Sequence, residues 1–530
     1  MVHPEGRENT RIKIQSILDR LGQIILSPLA GLVFGILVCL GIAIYALWYS
    51  SAGRFPAFPE FGNDYIHLGE SFLHGQLSLL GQPSPQLKAL QNPYDYLQRE
   101  NIPYHWDASY YEGRYYLYWG PVPALVFAAA EGLTRTQPSA SVMVDLPYIG
   151  LGFMLLTIFL LILRCFFPHA SSLSPGLFTL MALVNLPFLF LLGNPQIYHT
   201  SIIFGQFFLI LGLLGWVIYF ISGKSAWLII AGLGWGLAVG SRVNLAVSVA
   251  IYLVFALAWM GRESGWRPSW TRDGYLLIPL ALCAIGLGAY NFARFGNPLE
   301  TGQLYQLTIP VMHSSYFSIS YLPANLFIYL FYPIDLVAKF PFVKSALFDV
   351  SMLPGWLSVP AAMSFDHNIF GVFSSAPELW LLGLGVPLFI QGERRAFQPP
   401  FSKRFYLFAM VAIAGLGQFL FLMVFFFGAE RYIPDFYIPM VLGTSMLLWR
   451  MDEIFKSRGG IRVIFWLIAA GLILWTAGMG IFGGFGVPPQ LFRSFNPVLY
   501  GRLASYWNDR LPVFFTLLDK ASRVVPNMIP

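Results

Sequence analysis

Long apolar runs separated by short polar connections make up most of the chain. Runs of about 16–24 residues match the length that a helix needs to cross a membrane. The pattern therefore predicts an all-α polytopic membrane protein with about eleven transmembrane helices. The predicted spans are residues 29–50, 142–164, 174–192, 198–221, 226–241, 243–260, 275–291, 376–391, 405–427, 432–449 and 461–483.

Two other patterns lie in the polar segment after the first span. Residues 117–133 are apolar, but Pro121 and Pro123 interrupt their start, which favours a helix lying at the membrane interface. Residues 109–116 are rich in tyrosine on both sides of Glu112 and Gly113, which predicts two short strands joined by a turn.

Charge predicts the orientation of the spans. Only 11% of the residues are charged, against about 25% in soluble domains, which fits a surface covered mostly by lipid. With the N-terminus in the cytoplasm, basic residues concentrate in the short cytoplasmic connections, and Arg431 is the exception outside. Those cytoplasmic residues are Arg164, Lys224, Arg262, Arg267, Arg272, Arg394, Arg395, Lys403, Arg404, Arg450, Lys456, Arg458 and Arg462.

This orientation divides the chain into alternating cytoplasmic, membrane and extracytoplasmic parts of an inner (plasma) membrane protein. The apolar run after the N-terminus is too long for a signal peptide and lacks a cleavage pattern, so we expect an uncleaved first span. The predicted parts are a cytoplasmic N-terminus (1–28), a first transmembrane helix (29–50), an extracytoplasmic catalytic loop with interface helices (51–141), a transmembrane bundle (142–291), an extracytoplasmic loop (292–375), a second bundle (376–483) and an extracytoplasmic tail (484–530).

Several function classes lose support at this stage. Cys39, Cys165 and Cys283 lie in or next to apolar spans, which argues against a disulfide framework and a zinc site. The sequence has no nucleotide-binding P-loop, no dinucleotide fingerprint after a strand and no HExxH motif. The net charge of +6 comes from basic residues that act as topology signals, so we expect no nucleic-acid partner.

Asp64 is the first candidate catalytic residue, because it opens the long polar loop directly after the first span. In a helix, Asp64, His67, Leu68 and Ser71 would share one face. A carboxylate at an apolar boundary can act as a general base toward an acceptor hydroxyl. The alternative is an N-cap aspartate that opens a surface helix.

Asp107 is a second acidic candidate in the same loop, within Trp106-Asp107-Ala108-Ser109. It could serve a metal, bind substrate hydroxyls or orient another group, and the alternative is an aspartate in a turn. The spacing of the histidine, tryptophan and aspartate here is not that of a metal motif, so we assign no metal.

Arg242 and Arg431 are candidate phosphate-binding residues. Arg242 lies between two predicted spans that would otherwise merge. A charged residue at membrane depth is energetically costly, so it is a candidate for a functional role. Its alternative is an arginine that extends to the outer interface. Arg431 lies at the outer interface, and its planar fork suits a phosphate. Its alternative is pairing with Glu430 or Asp435.

Three further residues are weaker candidates for substrate binding. His199 begins a span on the outer side, where an interface histidine with satisfied hydrogen bonds is the alternative. Arg294 and Glu300 flank the Gly/Asn/Pro turn that opens the second large loop.

The order of these features resembles the GT-C superfamily of integral-membrane glycosyltransferases, with the aminoarabinose transferase and protein O-mannosyltransferase branch closest in layout. Asp64 matches the position of that family's catalytic acid, and residues 120–123 resemble the proline-led start of its interface helix. Further motifs are similar to those of uncharacterised bacterial members of the superfamily. These are Asp107-Ala108-Ser109, residues 113–118, Gly240-Ser241-Arg242, residues 294–298 and Arg431-Tyr432.

The resemblance implies a hexosyltransferase-type enzyme that uses a polyprenyl-phosphate sugar donor in the bilayer. Asp64 would deprotonate a glycan, lipid or protein acceptor in an inverting displacement, and Arg431 or Arg242 would hold the leaving phosphate. Many relatives have a paired acidic motif in the first loop. Here Asn63 precedes a single aspartate, which leaves both a divalent metal and the second acid open. A transporter or flippase of lipid-linked or small solutes and a non-catalytic GT-C-like protein are the rival functions.

Overall fold

The computed structural model describes residues 27–307, 316–344, 346–366, 368–383, 386–387, 402–486 and 491–511. Some features predicted from the sequence lie outside these residues. They are residues 1–26 of the cytoplasmic segment, Arg394 and Arg395 of one basic connection, the end of the span at 376–391, and residues 512–530 of the tail.

Within the described ranges, seven helical segments are long and apolar enough to cross a membrane. They confirm the predicted all-α polytopic class. They are α1 (Pro28–Ser50), α6 (Ala140–Phe166), α9 (Ile197–Ser222), the segment Val243–Glu263 that contains α11 (Ala246–Glu263), α12 (Trp270–Phe295), α15 (Lys403–Met423) and α17 (Gly459–Gly486).

Two shorter helices, α7 (Ser174–Leu183) and α8 (Leu186–Gly193), form a pair bent by 55° that adds an eighth candidate span. The contacts of this pair reach both ends of α1. A Cβ added to Gly176 would lie 2.7 Å from the Phe34 ring, and one added to Gly193 would lie 2.7 Å from the Tyr49 hydroxyl. The bent pair therefore runs along the length of α1 and fits the predicted crossing at 174–192.

The predicted count of eleven spans is not confirmed. The predicted span 226–241 corresponds to α10 (Trp227–Ser241), which at 15 residues is short for a crossing. The predicted span 432–449 corresponds to α16 (Pro434–Ile454), which has 21 residues but includes polar side chains such as Asp435 and Thr444.

Short elements cover one end of the helices. Residues 109–116 form the predicted hairpin, in which Tyr110 pairs with Tyr115 and the left-handed Glu112 and Gly113 make the turn. The short helices are α2 (Asp64–Leu73), α3 (Pro85–Lys88), α4 (Tyr96–Arg99), α5 (Val122–Thr134), α13 (Leu322–Phe331), α14 (Val372–Ser375), α18 (Leu491–Phe495) and α19 (Pro497–Asn508). The strands are β1 (Ser109–Tyr111), β2 (Arg114–Tyr116), β3 (Asp335–Leu336), β4 (Val343–Lys344), β5 (Ala346–Leu347), β6 (Ser364–Phe365), β7 (Asn368–Ile369) and β8 (Phe427–Gly428).

The interface helix predicted at 117–133 corresponds to α5, which is apolar but only 13 residues long. It packs against α2, so the two form one unit on the first loop. A separate small core of buried residues, including Tyr65, Leu68 and Phe127, lies between them. This core fixes α2, and with it Asp64, to the membrane-spanning helices through Phe204 of α9.

The second large loop is tied to the first loop and to the helix ends. The Arg99 guanidinium donates to the carbonyl oxygens of Pro93 and Leu307, and the Ser109 hydroxyl donates to the Gly302 carbonyl oxygen at 2.7 Å. Strands β6 and β8 pair in parallel. These contacts gather the segments that carry the charged residues of the site.

Candidate functional site

Asn63 fixes the position of Asp64. Its side-chain oxygen caps α2 by accepting a hydrogen bond from the Tyr65 amide at 3.0 Å. Its amide group donates to the Pro195 carbonyl oxygen at 2.7 Å and to the Thr200 hydroxyl at 2.9 Å. The N-cap alternative for Asp64 is therefore wrong, because Asn63 is the cap and Asp64 is the first helical residue.

The Asp64 carboxylate faces His105 from the loop before β1. The His105 Nε2 lies 3.0 Å from each carboxylate oxygen. The hydrogen bond to Asp64 raises the pKa of His105, against the opposing effect of burial. Asp64 is thus held by a group that can donate a proton or carry a positive charge.

Asp107 is buried beside this pair, and its backbone adopts a left-handed conformation with φ of 66°. Such a conformation is uncommon for a residue other than glycine, and it recurs at functional sites. The carboxylate accepts hydrogen bonds from Gln306 at 2.8 Å and from the Tyr118 hydroxyl at 3.2 Å. Burial raises the pKa of Asp107, while the hydrogen bond from Gln306 and the charge of Arg431 act in the opposite direction.

Arg431 approaches the same region from the connection between α15 and α16. Its guanidinium donates to Asp366 of the second large loop, which is a partner that the sequence did not suggest. Among the described residues, neither Glu430 nor Asp435 is hydrogen-bonded to Arg431, but Glu430 interacts with it electrostatically. Aromatic rings surround the guanidinium carbon, with Tyr198 at 4.5 Å and Phe427 at 5.4 Å.

Glu430 lies behind Arg431 and is 1% exposed. Neither of its carboxyl oxygens has a hydrogen-bond partner among the described residues. Burial raises the pKa of Glu430 to about 8, and the nearby Asp366 acts in the same direction. A buried carboxyl group without a hydrogen-bonded partner is stable chiefly in its neutral form.

Arg242 forms a buried ion pair with Asp435. Its Nε and Nη2 lie 2.7–3.0 Å from the two carboxylate oxygens, and the side chains are 3% and 0% exposed. Asn244 donates to the same carboxylate at 2.8 Å. The fork of Arg242 is therefore occupied, and its charge is neutralised where it lies.

A close backbone approach places Arg242 against the first loop. A Cβ added to Gly120 would lie 2.1 Å from the Gly240 carbonyl oxygen, so only glycine allows this contact. The guanidinium carbon of Arg242 lies 5.7 Å from the Trp119 ring and 5.2 Å from the Tyr432 ring. Arg242 thus supports the same aromatic surface that surrounds Arg431.

The remaining predicted site residues differ in their placement. His199 is buried, donates from Nδ1 to the Asn194 carbonyl oxygen, and interacts electrostatically with Arg431 and Arg242. Arg294 donates to the Leu117 carbonyl oxygen at 2.6 Å and to the Asn291 side chain at 2.7 Å. These contacts are internal to the fold.

Glu300 accepts a hydrogen bond from the Gly302 amide at 2.7 Å. It shapes the turn that carries the Ser109 contact, and among the described residues it has no hydrogen bond with Asp64, Asp107 or Arg431. The structure therefore brings together Asp64, Asp107 and Arg431, with Arg242 and His199 next to them, and leaves Arg294 and Glu300 at the supporting loops.

Three partners were missed by reasoning from the sequence. His105 stands two residues before Asp107, and that proximity was the only sequence signal for it. Asp366 and Gln306 come from the second large loop, far from the first loop in sequence. Within the described ranges, no group of three or more His, Cys, Asp and Glu side chains is placed to hold a metal ion.

These features define a polytopic helical membrane protein with an acidic and arginine-containing site at one end of its spans. No family model matches the chain, and no curated protein matches it. Among solved structures, the chain is similar to the Archaeoglobus fulgidus oligosaccharyltransferase in its apo form, with a TM-score of 0.45 and 14% identity over 85% of this chain and 56% of that one.

Two other solved structures are similar. The oligosaccharyltransferase AglB from Archaeoglobus fulgidus, in complex with an inhibitory peptide and a dolichol-phosphate, matches with a TM-score of 0.43 and 14% identity over 85% of this chain and 55% of that one. ArnT from Cupriavidus metallidurans, bound to undecaprenyl phosphate, matches with a TM-score of 0.41 and 12% identity over 89% of this chain and 76% of that one.

All three are GT-C glycosyltransferases, the superfamily that the sequence motifs resemble. The chain spans little more than half the length of the two archaeal structures. All three TM-scores are below 0.5.

Proposed function

We propose that the protein is a membrane glycosyltransferase that moves a sugar from a polyprenyl-phosphate donor to an acceptor hydroxyl. One observation carries this proposal. Asn63, the residue before Asp64, contacts Pro195 and Thr200, and Tyr198 between them lies 4.5 Å from the Arg431 guanidinium, so a base and a cation surrounded by aromatic rings belong to one site. The carboxyl group of Asp107 interacts electrostatically with both Asp64 and Arg431. Transfer from a lipid phosphate requires both groups, one for the acceptor proton and one for the leaving phosphate.

Asp64 is the proposed general base. Its carboxylate takes the proton of the acceptor hydroxyl while the acceptor oxygen forms a bond with the anomeric carbon. The bond between that carbon and the phosphate oxygen breaks, and the electron pair leaves with the polyprenyl phosphate. The anomeric configuration inverts in this single displacement. His105 orients the Asp64 carboxylate, and Asp107 is the second acid, positioned to bind sugar hydroxyls.

Arg431 is the proposed phosphate-binding residue. Its side chain is 13% exposed and its acidic partner Asp366 is 25% exposed, so an anion from solution or from the bilayer surface can compete for it. Arg242 is fully paired with Asp435 and buried, so we assign it a positioning role behind Tyr432 and Trp119. Of the two arginines that the sequence left open, we therefore propose Arg431 as the one that binds the phosphate.

The site lies at the end of the helices where α1 ends and α9 begins, because Asn63 contacts both Pro195 and Thr200. The distribution of basic residues supports our proposal that this is the extracytoplasmic end of an inner (plasma) membrane protein. We therefore propose that the polyprenyl-phosphate sugar reaches Arg431 from the outer leaflet of the bilayer.

The Asp64→Asn variant tests the proposal in membranes supplied with a radiolabelled polyprenyl-phosphate sugar. We expect transfer to fall by about 10²–10⁴-fold, the usual contribution of general-base catalysis. Glu70→Gln, on the same helix, is the matched control and should transfer like the wild type. Undiminished transfer by Asp64→Asn contradicts the base assignment. Solute transport by purified protein in liposomes without any donor would favour the rival transporter function.

A further inference from the structure

A cavity of about 440 Å³ adjoins the first turn of α2. Its volume lies in the range of small-molecule sites, roughly 300–1,000 Å³. The segment 56–63 forms one wall, Ile66 and His67 of α2 form another, and residues 137–140 before α6 close it. None of the interactions described above uses this space.

We propose that this cavity binds the acceptor, and that the acceptor is a neutral, hydroxyl-rich saccharide. This inference rests on the proposed transferase function and adds the class of acceptor to it. Because the cavity is a binding site in its own right, it can also be tested without any transfer reaction.

The position of the cavity relative to Asp64 supports an acceptor site. Asn63 and His67 line the cavity, whereas Asp64, within the same helical turn, faces His105. Asp107 interacts electrostatically with both Asp64 and Arg431. In a displacement, the attacking oxygen approaches from the side opposite the leaving phosphate. The base must therefore reach the acceptor hydroxyl, and Asp64 lies in the helical turn whose residues Asn63 and His67 line the cavity.

The side chains around the cavity support a saccharide. Glu60, His67 and Gln137 are exposed and supply one carboxylate, one imidazole and one amide, which can accept from and donate to neighbouring hydroxyl groups. Phe58 and Phe61 add apolar ring surface for the C–H faces of a sugar.

The charge of the lining favours a neutral ligand. No lysine or arginine is among the lining residues, all of which the structure describes, and Glu60 contributes a negative charge. A phosphate or a uronic acid would meet repulsion here. The cavity is therefore a poor site for the phosphate of the donor lipid, which has Arg431 instead.

The walls of the cavity are fixed before any ligand binds. The Phe61 ring packs against Phe495 of α18 at 5.6 Å, and Phe58 contacts Phe55 at 6.0 Å. Asn63 is held by its contacts with Pro195 and Thr200. A preformed site loses less conformational entropy when it binds a weak ligand such as a sugar.

Saturation-transfer NMR on the full chain in lipid nanodiscs tests the proposal with lactose, chitobiose and undecaprenyl phosphate as probes. We expect the neutral disaccharides to bind the wild type and Asp64→Asn equally. Glu60→Gln and Gln137→Ala should each weaken that binding by about tenfold, because the first replaces a charged acceptor with a weaker neutral one and the second removes an amide that bonds to sugar hydroxyls. Glu100→Gln, an exposed glutamate elsewhere in the loop, is the matched control and should bind like the wild type.

The outcomes separate the two proposals. The acceptor assignment is overturned if neither disaccharide binds, if both cavity variants bind like the control, or if undecaprenyl phosphate displaces the sugars. Transfer by Asp64→Asn at the wild-type rate would overturn the base assignment and leave a saccharide-binding cavity intact. Loss of sugar binding with normal transfer to another acceptor would overturn only the cavity proposal.

Discussion

His105 and Asp64 are joined by a two-pronged contact in which the imidazole Nε2 lies 3.0 Å from both carboxylate oxygens. The two residues are 41 positions apart in sequence and come from different sides of the first loop. The contact fixes the direction in which the Asp64 carboxylate faces. It also adds a titratable group whose pKa the hydrogen bond with Asp64 raises.

Replacing His105 with glutamine should slow sugar transfer by about tenfold, because a hydrogen bond to a charged group is lost or weakened. Because glutamine cannot carry a charge, the stability of the variant should also depend on pH differently from that of the wild type. A raised pKa in the folded state means that the ion pair stabilises the protein below the ordinary histidine pKa of 6.5. That stabilisation is lost as the pH rises through the raised value. The difference in Tm between wild type and His105→Gln should therefore shrink with rising pH.

Thermal unfolding in detergent, followed across this pH range, checks the expectation. His74→Gln is the matched control, since His74 is exposed at the end of α2, the helix that carries Asp64, and among the described residues its imidazole bonds to the Glu70 carbonyl oxygen. A Tm difference for His105→Gln that does not change with pH would show that the imidazole carries no charge in its contact with Asp64.

Asp366→Asn should increase the affinity for the leaving lipid phosphate. The Asp366 carboxylate forms an ion pair with the Arg431 guanidinium, so a phosphate must compete with that carboxylate. A partly exposed ion pair contributes about 0.2–1 kcal/mol, which corresponds to an increase of up to about fivefold. Inhibition of transfer by undecaprenyl phosphate measures the change, with Asp335→Asn in the same large loop as the control. Weaker inhibition in Asp366→Asn would mean that Asp366 helps to bind the phosphate.

Arg431→Lys should reduce transfer by about 10²–10³-fold, the cost of removing one group that stabilises the developing charge. Lysine keeps the charge but loses the planar fork that can contact two phosphate oxygens. Kinetics with a labelled donor should show the loss in kcat, because the charge develops in the transition state. Arg114→Lys, at an exposed position of β2, is the control. Equal activity of the two variants would exclude a phosphate role for Arg431.

Glu430→Gln should remove a pH-dependent loss of stability. Burial raises the pKa of Glu430 from 4.5 to about 8, so the folded protein holds a proton that the unfolded chain has released between these values. Stability from this group therefore falls as the pH rises from about 5 to about 8. Glutamine stays neutral, so the Tm of Glu430→Gln should exceed that of the wild type increasingly over this range. A constant Tm difference would show that Glu430 does not titrate there.

Much of the membrane architecture could be predicted from hydrophobic periodicity. The spans at 29–50, 142–164 and 198–221 correspond to α1, α6 and α9 within a few residues. The number of spans was harder to predict, because an apolar run in the sequence does not show whether it folds into one long helix, a short helix or a bent pair. The apolar run at 226–241 is a short helix, and the run at 174–192 is bent by 55° at the break between α7 and α8.

The candidate site was predictable only in part. Asp64, Asp107 and Arg431 could be selected because carboxylates and arginines are rare in such a chain. Their partners could not, because His105, Gln306 and Asp366 reach them through loop contacts that leave no periodic signal. The pairing of Arg242 with Asp435 across 193 residues likewise depends on the packing of helices.

The orientation of the site can be tested by cysteine labelling of intact cells. Glu100 in the first loop and Lys224 between α9 and α10 are both exposed, and the distribution of basic residues places them on opposite sides of the membrane. In a background with Cys39, Cys165 and Cys283 replaced, we expect a membrane-impermeant maleimide to label Glu100→Cys directly. Lys224→Cys should react only after permeabilisation. Both variants should react equally in permeabilised cells, which is the internal control. Labelling of both variants in intact cells would indicate an odd number of additional crossings between the two positions, such as a full crossing by α5. Labelling of Lys224→Cys alone in intact cells would place the Asp64 site in the cytoplasm.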